Sequence, residues 1–465
     1  MSNLNVFRLR WSKRELNKLD PDSTTGPDKL AGRILKNCSS TLALPVIILT
    51  RLIVRCGSWP EKWKKHWLHP LFKKGSVTDP SKYRGIHLTC ILSKVVERIL
   101  GYSLNKYFDA SNAYGNNQWA FRPKRSHTDL VALLINSWLL ALEDGHKVGI
   151  YLSDISGAFD RVFSPYLLRK LHRAGVNDSF LQLLADYLHN RKGVIIVNGV
   201  FSDEFVLDNM VYQGTVLGPI LWNIFFSDIH EVAESTGCTE NRFADDLSTY
   251  KCYPASTPNV DIISDLHRCR DVVHNWGVEN RVSFDPAKEE FAVIHRTSGE
   301  GETFRLLGPW IDNKLIMNVA VDKIVSKCRQ KLKSILRTAR FYNIREMVLQ
   351  FKTHVLPIAE SCTSAIYHAS DSILHPLDMC YEDFIYHLGL DASSAIRDHN
   401  LAPFKVRRDI AVLGLLHKCV LGLAHPALTV LLAKPEDHRS KHPTRFNTML
   451  HNRQLKYALK PNHTD

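Results

Sequence analysis

The sequence predicts an α+β fold in which an antiparallel sheet is backed by helices. Three observations lead there. The run KVGIYLSD is β-prone and ends in a carboxylate, Asp154. The run NRFADDLSTY sets Asp245 and Asp246 between two short β-prone stretches, the pattern of a hairpin with both carboxylates at its turn. The stretches around these runs carry apolar residues at helical spacing. Two strands whose aspartates lie about 90 residues apart bring them together only as neighbours in one sheet. Such a cluster would bind two divalent cations for in-line phosphoryl transfer. Taken alone, an Asp-Asp pair at a turn is more often a solvated hairpin.

In chain order, residues 1–44 are polar and basic, with the turn-like segment DPDSTTGPD near their middle. The next segment, through HPLFKKG and KYRGIHLT, mixes short strands with Gly and Pro. ILSKVVERILGYSLNKYF places Ile91, Val95, Ile99 and Leu100 at helical spacing. LVALLINSWLLALEDG predicts a buried helix ending at Gly145. After the Asp154 strand, SPYLLRKLHRAG is helical. GVIIV-NG-VFSDEFVL follows as a hairpin turning at Asn198-Gly199. An apolar helix through ILWNIFFSDI leads into the Asp245 hairpin. VDIISDLHRCRDVVHNWGVEN is helical again, and FAVIHR is a strand. A boundary is expected near 300, in RTSGEGETF. Beyond it, Val321, Ile324, Val325, Cys328, Leu332, Ile335, Leu336 and Ala339 follow the 3.6-residue period, while lysines and arginines occupy the other faces. From about 345 the chain reads as mostly helical.

At 465 residues the chain exceeds one ordinary domain, so several subdomains with sizeable cores are expected. A net charge of +13 points to a polyanionic partner. The ten cysteines include no C-x-x-C pair, which argues against a zinc ribbon or a disulfide framework and for a reducing compartment. The most apolar run, LALPVIILTRLIV, contains Arg51 and a helix-breaking Pro45, so no membrane partner is expected. The start of the chain lacks the apolar core of a signal peptide. An intracellular protein is the default.

Between the two carboxylate sites runs NMVYQGTVLGPILWNIFFSDI. Together SDISGAFDRV, YQGTVLGPILWNIFFSDI and FADD resemble motifs A, B and C of reverse transcriptases, above all those of non-LTR (LINE-type) retrotransposons. HPLFKKGSVTDPSKYRGIHLTCILSKVVERI and QWAFRPKRSHTDLVALL match upstream in the right order, and NRVSFDPAKEEFAVIHR matches downstream. The resemblance covers roughly residues 45 to 340, and Gly26-Pro27-Asp28 suits a segment that lies just ahead of the family's fingers. It implies a right-hand polymerase of fingers, palm and thumb, with a helical C-terminal region. Residues 1–44 would be an N-terminal extension, 45–305 the fingers and palm, 306–345 the thumb or connection, and 346–465 a helical region of unassigned role.

The resemblance also implies an RNA-directed DNA polymerase that joins deoxynucleoside triphosphates (dNTPs) to a DNA primer on an RNA template. Two Mg²⁺ ions, with Mn²⁺ as a possible substitute, would be held by Asp154 and Asp245, with Asp246 beside them and the Ile155 carbonyl as a further oxygen. Phe159 occupies the position of the steric gate against a ribose 2′-hydroxyl. Gln213 and Gly214 are the motif B pair, where backbone approaches the templating base and the incoming sugar. Arg84 matches the fingers arginine that grips the triphosphate, a task suited to guanidinium, and Lys73 assists it. Arg122 is a template or nucleotide contact, and Lys288 the motif D lysine that protonates the departing pyrophosphate. Asp160 is structural.

Several positions depart from the family pattern. Tyr212 replaces the commoner proline before Gln-Gly, Gly85 the proline after the fingers arginine, and Ala120 the glycine before Phe121-Arg122; Asp285 and Glu289 replace the usual Asn and Thr around Lys288. None is a metal ligand. LINE-type polyproteins usually carry an endonuclease ahead of the polymerase, and 44 residues cannot hold one. The expectation is therefore a chain that copies RNA without nicking a target by itself, in the nucleus or the cytoplasm. The alternative is an inactive RNA-binding protein on the same scaffold, against which stands the presence of all three aspartates, Phe159 and Gln213. An RNA-dependent RNA polymerase shares the palm carboxylates, and the bulk of Phe159 argues against it.

Overall fold

The computed structural model describes residues 8–432. Strands form where the β-prone runs place them. β1, Lys65–Phe72, and β2, Tyr83–Leu88, pair antiparallel from Trp67↔Leu88 to Phe72↔Tyr83. β3, His146–Asp154, is buried along all but its two ends. β4, Arg191–Val197, turns into β5, Val200–Phe201, through Asn198 and Gly199, with φ of 51° and 81°. Two positive φ angles are what a two-residue hairpin of matching twist requires. β6, Phe205–Leu207, pairs with β4, and β1 runs parallel to β4, giving the order β2-β1-β4-β5.

A second sheet is built from β3, β7 (Thr239–Phe243), β8 (Asp246–Pro254) and β9 (Glu290–Ile294) in the order β7-β8-β3-β9. Its order makes the strand ending in Asp154 the neighbour of the strand opening at Asp246. β3 and β9 run antiparallel, from Val148↔Ile294 to Leu152↔Glu290. A short ladder of β10, Phe304–Arg305, and β11, Trp310–Ile311, follows. The segment near 300 folds back on β9, where Glu300 and Val293 exchange backbone hydrogen bonds of 2.9 Å.

The chain divides into two compact units, with two of the five cuts falling inside β3 and β8. Residues up to Arg122, Ser153–Leu247 and Asp271–Ala287 form the first; Pro123–Leu152, Ser248–Arg270 and the chain from Lys288 form the second. The first is built around the fully buried rings of Trp59, Trp119, Trp222, Tyr114, Tyr187 and Tyr212. In the second, Phe351 stacks on Phe384 at 4.2 Å and on Phe404 at 6.0 Å. The helix Asn318–Arg337 buries Val321, Ile324, Val325, Cys328, Leu332 and Ile335, six of the eight residues its periodicity selects, and leaves its basic face in solvent; Leu336 is half-buried and Ala339 lies past the helix end. Helices Ile344–His354, Asp371–His387 and Phe404–Val420 make the described part of the C-terminal region mostly helical. Residues 433–465 of that region lie outside the described residues.

One local expectation is corrected. Pro45 does not break a helix but sits inside the helix Ser39–Cys56. That helix buries Ala43, Val46, Ile47, Ile53 and Val54 and packs on the helix Leu9–Asn17, where the Ser12 hydroxyl donates to the Ala43 carbonyl at 2.7 Å. Each aliphatic side chain fully buried there is worth about 1.5–3 kcal/mol, so the packed face outweighs the roughly 3 kcal/mol cost of an interior proline. By length and composition alone, Ser39–Cys56 is also apolar enough to cross a membrane. After Asp154 the chain passes through a 3₁₀ turn, Ala158–Arg161, into the helix Ser164–Arg173, where SPYLLRKLHRAG reads as helical.

Gly26 shows why the segment ahead of β1 is particular about its residues. A Cβ there would lie 2.5 Å from the Thr89 carbonyl carbon and oxygen, at the start of the helix Ile91–Ala110. Backbone cannot yield as a side-chain end does. Gly26→Ala is therefore expected to cost on the order of 2 kcal/mol, read as a lower unfolding midpoint in thermal or denaturant melts. An unchanged midpoint would contradict the close approach.

Candidate active site

The carboxylates sit where strands end. Asp154 closes β3 and is half-buried; Asp245 forms a two-residue turn with Ala244 between β7 and β8; Asp246 opens β8 and is exposed. Ala244 carries φ of 61°, a left-handed conformation that a residue with a Cβ adopts only when its surroundings hold it. Here the holding groups can be named. The Gln118 side-chain oxygen accepts from the Ala244 N–H at 3.2 Å, and its amide donates to the Ala244 carbonyl at 3.4 Å. The Trp222 indole N–H donates to the same carbonyl at 2.9 Å. Gln118 is itself fixed, accepting from the Ala120 N–H at 3.0 Å, and its segment pairs with β7 through Asn117 and Trp119 on either side of Arg242.

Neither clamp residue was selected from sequence. Gln118 lies in QWAFR and Trp222 in ILWNI, both quoted motifs, yet nothing local ties either to a turn more than 20 residues away.

On the other side of the site, Ile155 forms an antiparallel bridge with Phe284. The Asp285 N–H donates to the Asp154 carbonyl, and the Ser156 N–H donates to the Ser283 carbonyl, each at 2.9 Å. These bonds flank the Ile155–Phe284 pair, so Ile155 turns its own N–H and carbonyl away from that partner. Its carbonyl therefore faces away from the 283–285 segment, as a ligand oxygen must. The donors assembled here are all hard oxygens, the set that suits Mg²⁺ or Mn²⁺ rather than a soft metal. Among the described residues, no three His, Cys, Asp or Glu side chains are gathered closely enough to hold a metal as they stand. The donors thus fit a hard divalent cation by type and by strand order, without a closed cage.

Phe159 is half-buried in the 3₁₀ turn, its ring 5.8 Å from Trp222 and 6.4 Å from Phe121. Its carbonyl accepts from the Val211 N–H at 2.8 Å, which ties it to the irregular segment leading into Gln213. Asp160 beside it meets solvent, yet crowding of its carboxyl raises its pKa above the ordinary range, opposed by the charges of Lys73, Arg84 and Arg161. Lys73 and Arg84 thus bring positive charge to the same neighbourhood, Lys73 from the end of β1 and Arg84 from β2, paired to Leu71. Gly214 has φ of +100°, and a Cβ on it would lie 2.9 Å from the His87 carbonyl, while the Gln213 carbonyl accepts from the His87 N–H at 2.8 Å. The motif B turn therefore lies on β2. Lys288 closes the short turn Pro286–Lys288 ahead of β9 and belongs to the second unit.

Arg122 differs from its expected role. Its guanidinium donates to the Asp109 carboxylate at 2.7 and 3.0 Å and to the Gly115 carbonyl at 2.6 Å, and lies over the Tyr114 ring. Only 5% of its side chain is exposed. That is the geometry of an internal brace for the loop after the helix Ile91–Ala110, with its donors directed inward rather than toward a template or nucleotide.

Comparison with known proteins places the chain in context. Residues 72–311 match the family described as reverse transcriptase (RNA-dependent DNA polymerase). The chain is 27% identical over 286 residues to the RNA-directed DNA polymerase from mobile element jockey of Drosophila funebris, covering 60% of this chain and 31% of that protein. The jockey polymerase of Drosophila melanogaster is 25% identical over 396 residues, covering 76% and 42%. The probable polymerase from transposon X-element of the same species is 26% identical over 320 residues, covering 66% and 35%. The chain thus spans less than half the length of these relatives. Among solved structures, a telomerase from Candida albicans in complex with a fragment of telomeric RNA aligns with a TM-score of 0.42 and 13% identity, covering 75% of this chain and 67% of that one. A likeness at that score decides nothing about this chain.

The brace can be separated from a nucleotide contact. Asp109→Ala or Arg122→Gln is expected to cost on the order of 2 kcal/mol, reduced from a fully buried pair because Asp109 is about one-third exposed. Thermal melts would show that loss. A normal melting point with a weakened KM for nucleotide would restore the contact role.

Proposed function

Because the chain belongs to the reverse transcriptase (RNA-dependent DNA polymerase) family, we propose that it is an RNA-directed DNA polymerase of a non-LTR retrotransposon. It would extend a DNA primer along an RNA template with dNTPs. The observation that carries this reading is the pair of neighbouring strands that present Asp154 and the Asp245-Asp246 turn. Two Mg²⁺ ions, with Mn²⁺ as a substitute, would lower the pKa of the attacking 3′-hydroxyl and neutralise the leaving pyrophosphate.

The chain's own residues would do the rest. Asp154 and Asp245 hold the cations with the Ile155 carbonyl, and Asp246 supports them. Arg84 and Lys73 orient the triphosphate by charge, Arg84 through its planar fork. Gln213 and Gly214 offer backbone to the templating base and the incoming sugar, and the missing Cβ of Gly214 lets their turn lie against β2. Phe159 crowds the 2′ position and so selects deoxyribose. The proton role of Lys288 rests on the resemblance of its motif. All ten cysteines are free thiols, which agrees with work inside the cell, in the nucleus or the cytoplasm. The inactive alternative has no observation in its favour.

Primer extension by the purified protein on an RNA template tests the reading. Asp245→Asn is expected to reduce incorporation below detection while leaving RNA affinity nearly unchanged. Substantial residual synthesis would remove Asp245 from the reaction. Phe159→Val is expected to reduce discrimination against ribonucleotides by about tenfold or more. Unchanged sugar selection would refute the gate.

A further inference from the structure

The motif B turn is held by a buried cluster that the proposed reaction does not use. Arg191 opens β4 and is wholly buried, yet among the described residues no carboxylate pairs with it. Its guanidinium lies 4.1 Å from the Tyr187 ring and 4.7 Å from the Tyr212 ring, and donates to the Tyr187 carbonyl at 2.6 Å. One terminal nitrogen of Arg191 meets His66 Nε2 at 2.6 Å, and His66 Nδ1 meets His87 Nδ1 at 2.9 Å. His66 is 1% exposed and His87 3%.

The protons in this chain follow from one fact: arginine only donates. His66 Nε2 must therefore accept, so the proton of a neutral His66 sits on Nδ1. His66 Nδ1–H then donates to His87 Nδ1, which must accept, leaving the His87 proton on Nε2. Both rings are neutral in this arrangement. Burial first, then the Arg191 charge, pulls both pKa values down, His66 far below its ordinary value and His87 to about 4; Lys94 adds to the effect on His66.

The far end of the chain reaches the nucleotide site. The His87 backbone N–H holds the Gln213 carbonyl, and a Cβ on Gly214 would come within 2.9 Å of the His87 carbonyl oxygen. Tyr212, immediately before them, is packed edge-on by His66 at 4.8 Å and His87 at 5.6 Å, and its hydroxyl donates to the Leu188 carbonyl at 2.8 Å. A proline at position 212, the commoner residue in the resembling family, would fix its own φ through its ring. Tyrosine does not, so the restraint has to come from packing. Arg84 lies three residues before His87 on the same strand.

We propose that Arg191, His66 and His87 form a positioning relay that sets the Gln213–Gly214 turn, and the β2 strand carrying Arg84, for the incoming nucleotide. The relay rests on the polymerase reading and acts through Gln213 and Gly214 without touching the nucleotide. His87→Leu removes the acceptor of His66 at similar volume. His66→Gln keeps an acceptor for Arg191 and a donor for His87.

The test is steady-state primer extension on RNA by the full chain, with thermal melts in parallel. His87→Leu is expected to raise the KM for nucleotide about tenfold, keep kcat within about twofold, and weaken sugar discrimination, whereas His66→Gln stays close to wild type. Should His87→Leu fail to fold, Arg191→Lys, which keeps the charge but loses the planar fork, is expected to show the same KM rise. A folded His87→Leu or Arg191→Lys enzyme with unchanged KM would make the cluster mere core packing and overturn the relay. A wild-type protein that extends no primer would overturn the polymerase reading instead, and the relay with it.

Discussion

The site depends on a turn that cannot hold itself. Ala244 and Asp245 reverse the chain in two residues, with Ala244 in a left-handed conformation that its Cβ disfavours. The turn also carries one carboxylate, beside a second that opens β8, while the neighbouring strand ends in a third. Like charges brought together in this way repel one another. Without outside restraint, both the strain and the repulsion would relax by opening the hairpin. Gln118 and Trp222 supply the restraint, three hydrogen bonds to the backbone of Ala244 from two separate segments. Trp222 in turn packs near Phe159, so the group proposed to read the sugar and the clamp on the carboxylates share one aromatic wall. The carboxylates are thus set by backbone geometry, the kind of preorganisation that the proposed reaction would draw on.

The same division of labour recurs on the side proposed to bind the nucleotide. Motif B is set by backbone contacts to β2, and β2 is set by buried side chains of β1 and β4. Exposed groups that would touch substrate, such as Arg84 and Lys73, stand on these braced strands. The brace formed by Arg122 and Asp109 belongs to the same class of buried support.

Much of this was legible in the sequence because it is local. The β-prone run ending at Asp154, the Asn198-Gly199 hairpin and the 3.6-residue stripe of the helix Asn318–Arg337 each depend on spacing within one segment. The adjacency of the Asp154 and Asp246 strands also followed, since a shared sheet is the one way such strands meet. What could not be read depends on partners far along the chain. Arg122 has the same local sequence whether it faces a nucleotide or Asp109. Gln118 lies over 120 residues from the turn it clamps. Pro45 breaks a helix by its own propensity, and only the apolar face packed on the helix Leu9–Asn17 reverses that outcome. The orientation of the Ile155 carbonyl follows from its bridge to Phe284, which no local pattern announces.

Oxygens from two neighbouring strands are proposed to hold divalent cations. Mn²⁺ binding to the purified protein, followed by electron paramagnetic resonance in the presence of RNA template, primer and a dNTP, tests this most directly. Bound Mn²⁺ should be lost in both Asp154→Asn and Asp245→Asn and retained in Asp109→Asn, whose carboxylate serves the Arg122 brace. Binding that survives the first two substitutions would place the cation elsewhere and remove these strands from the metal site.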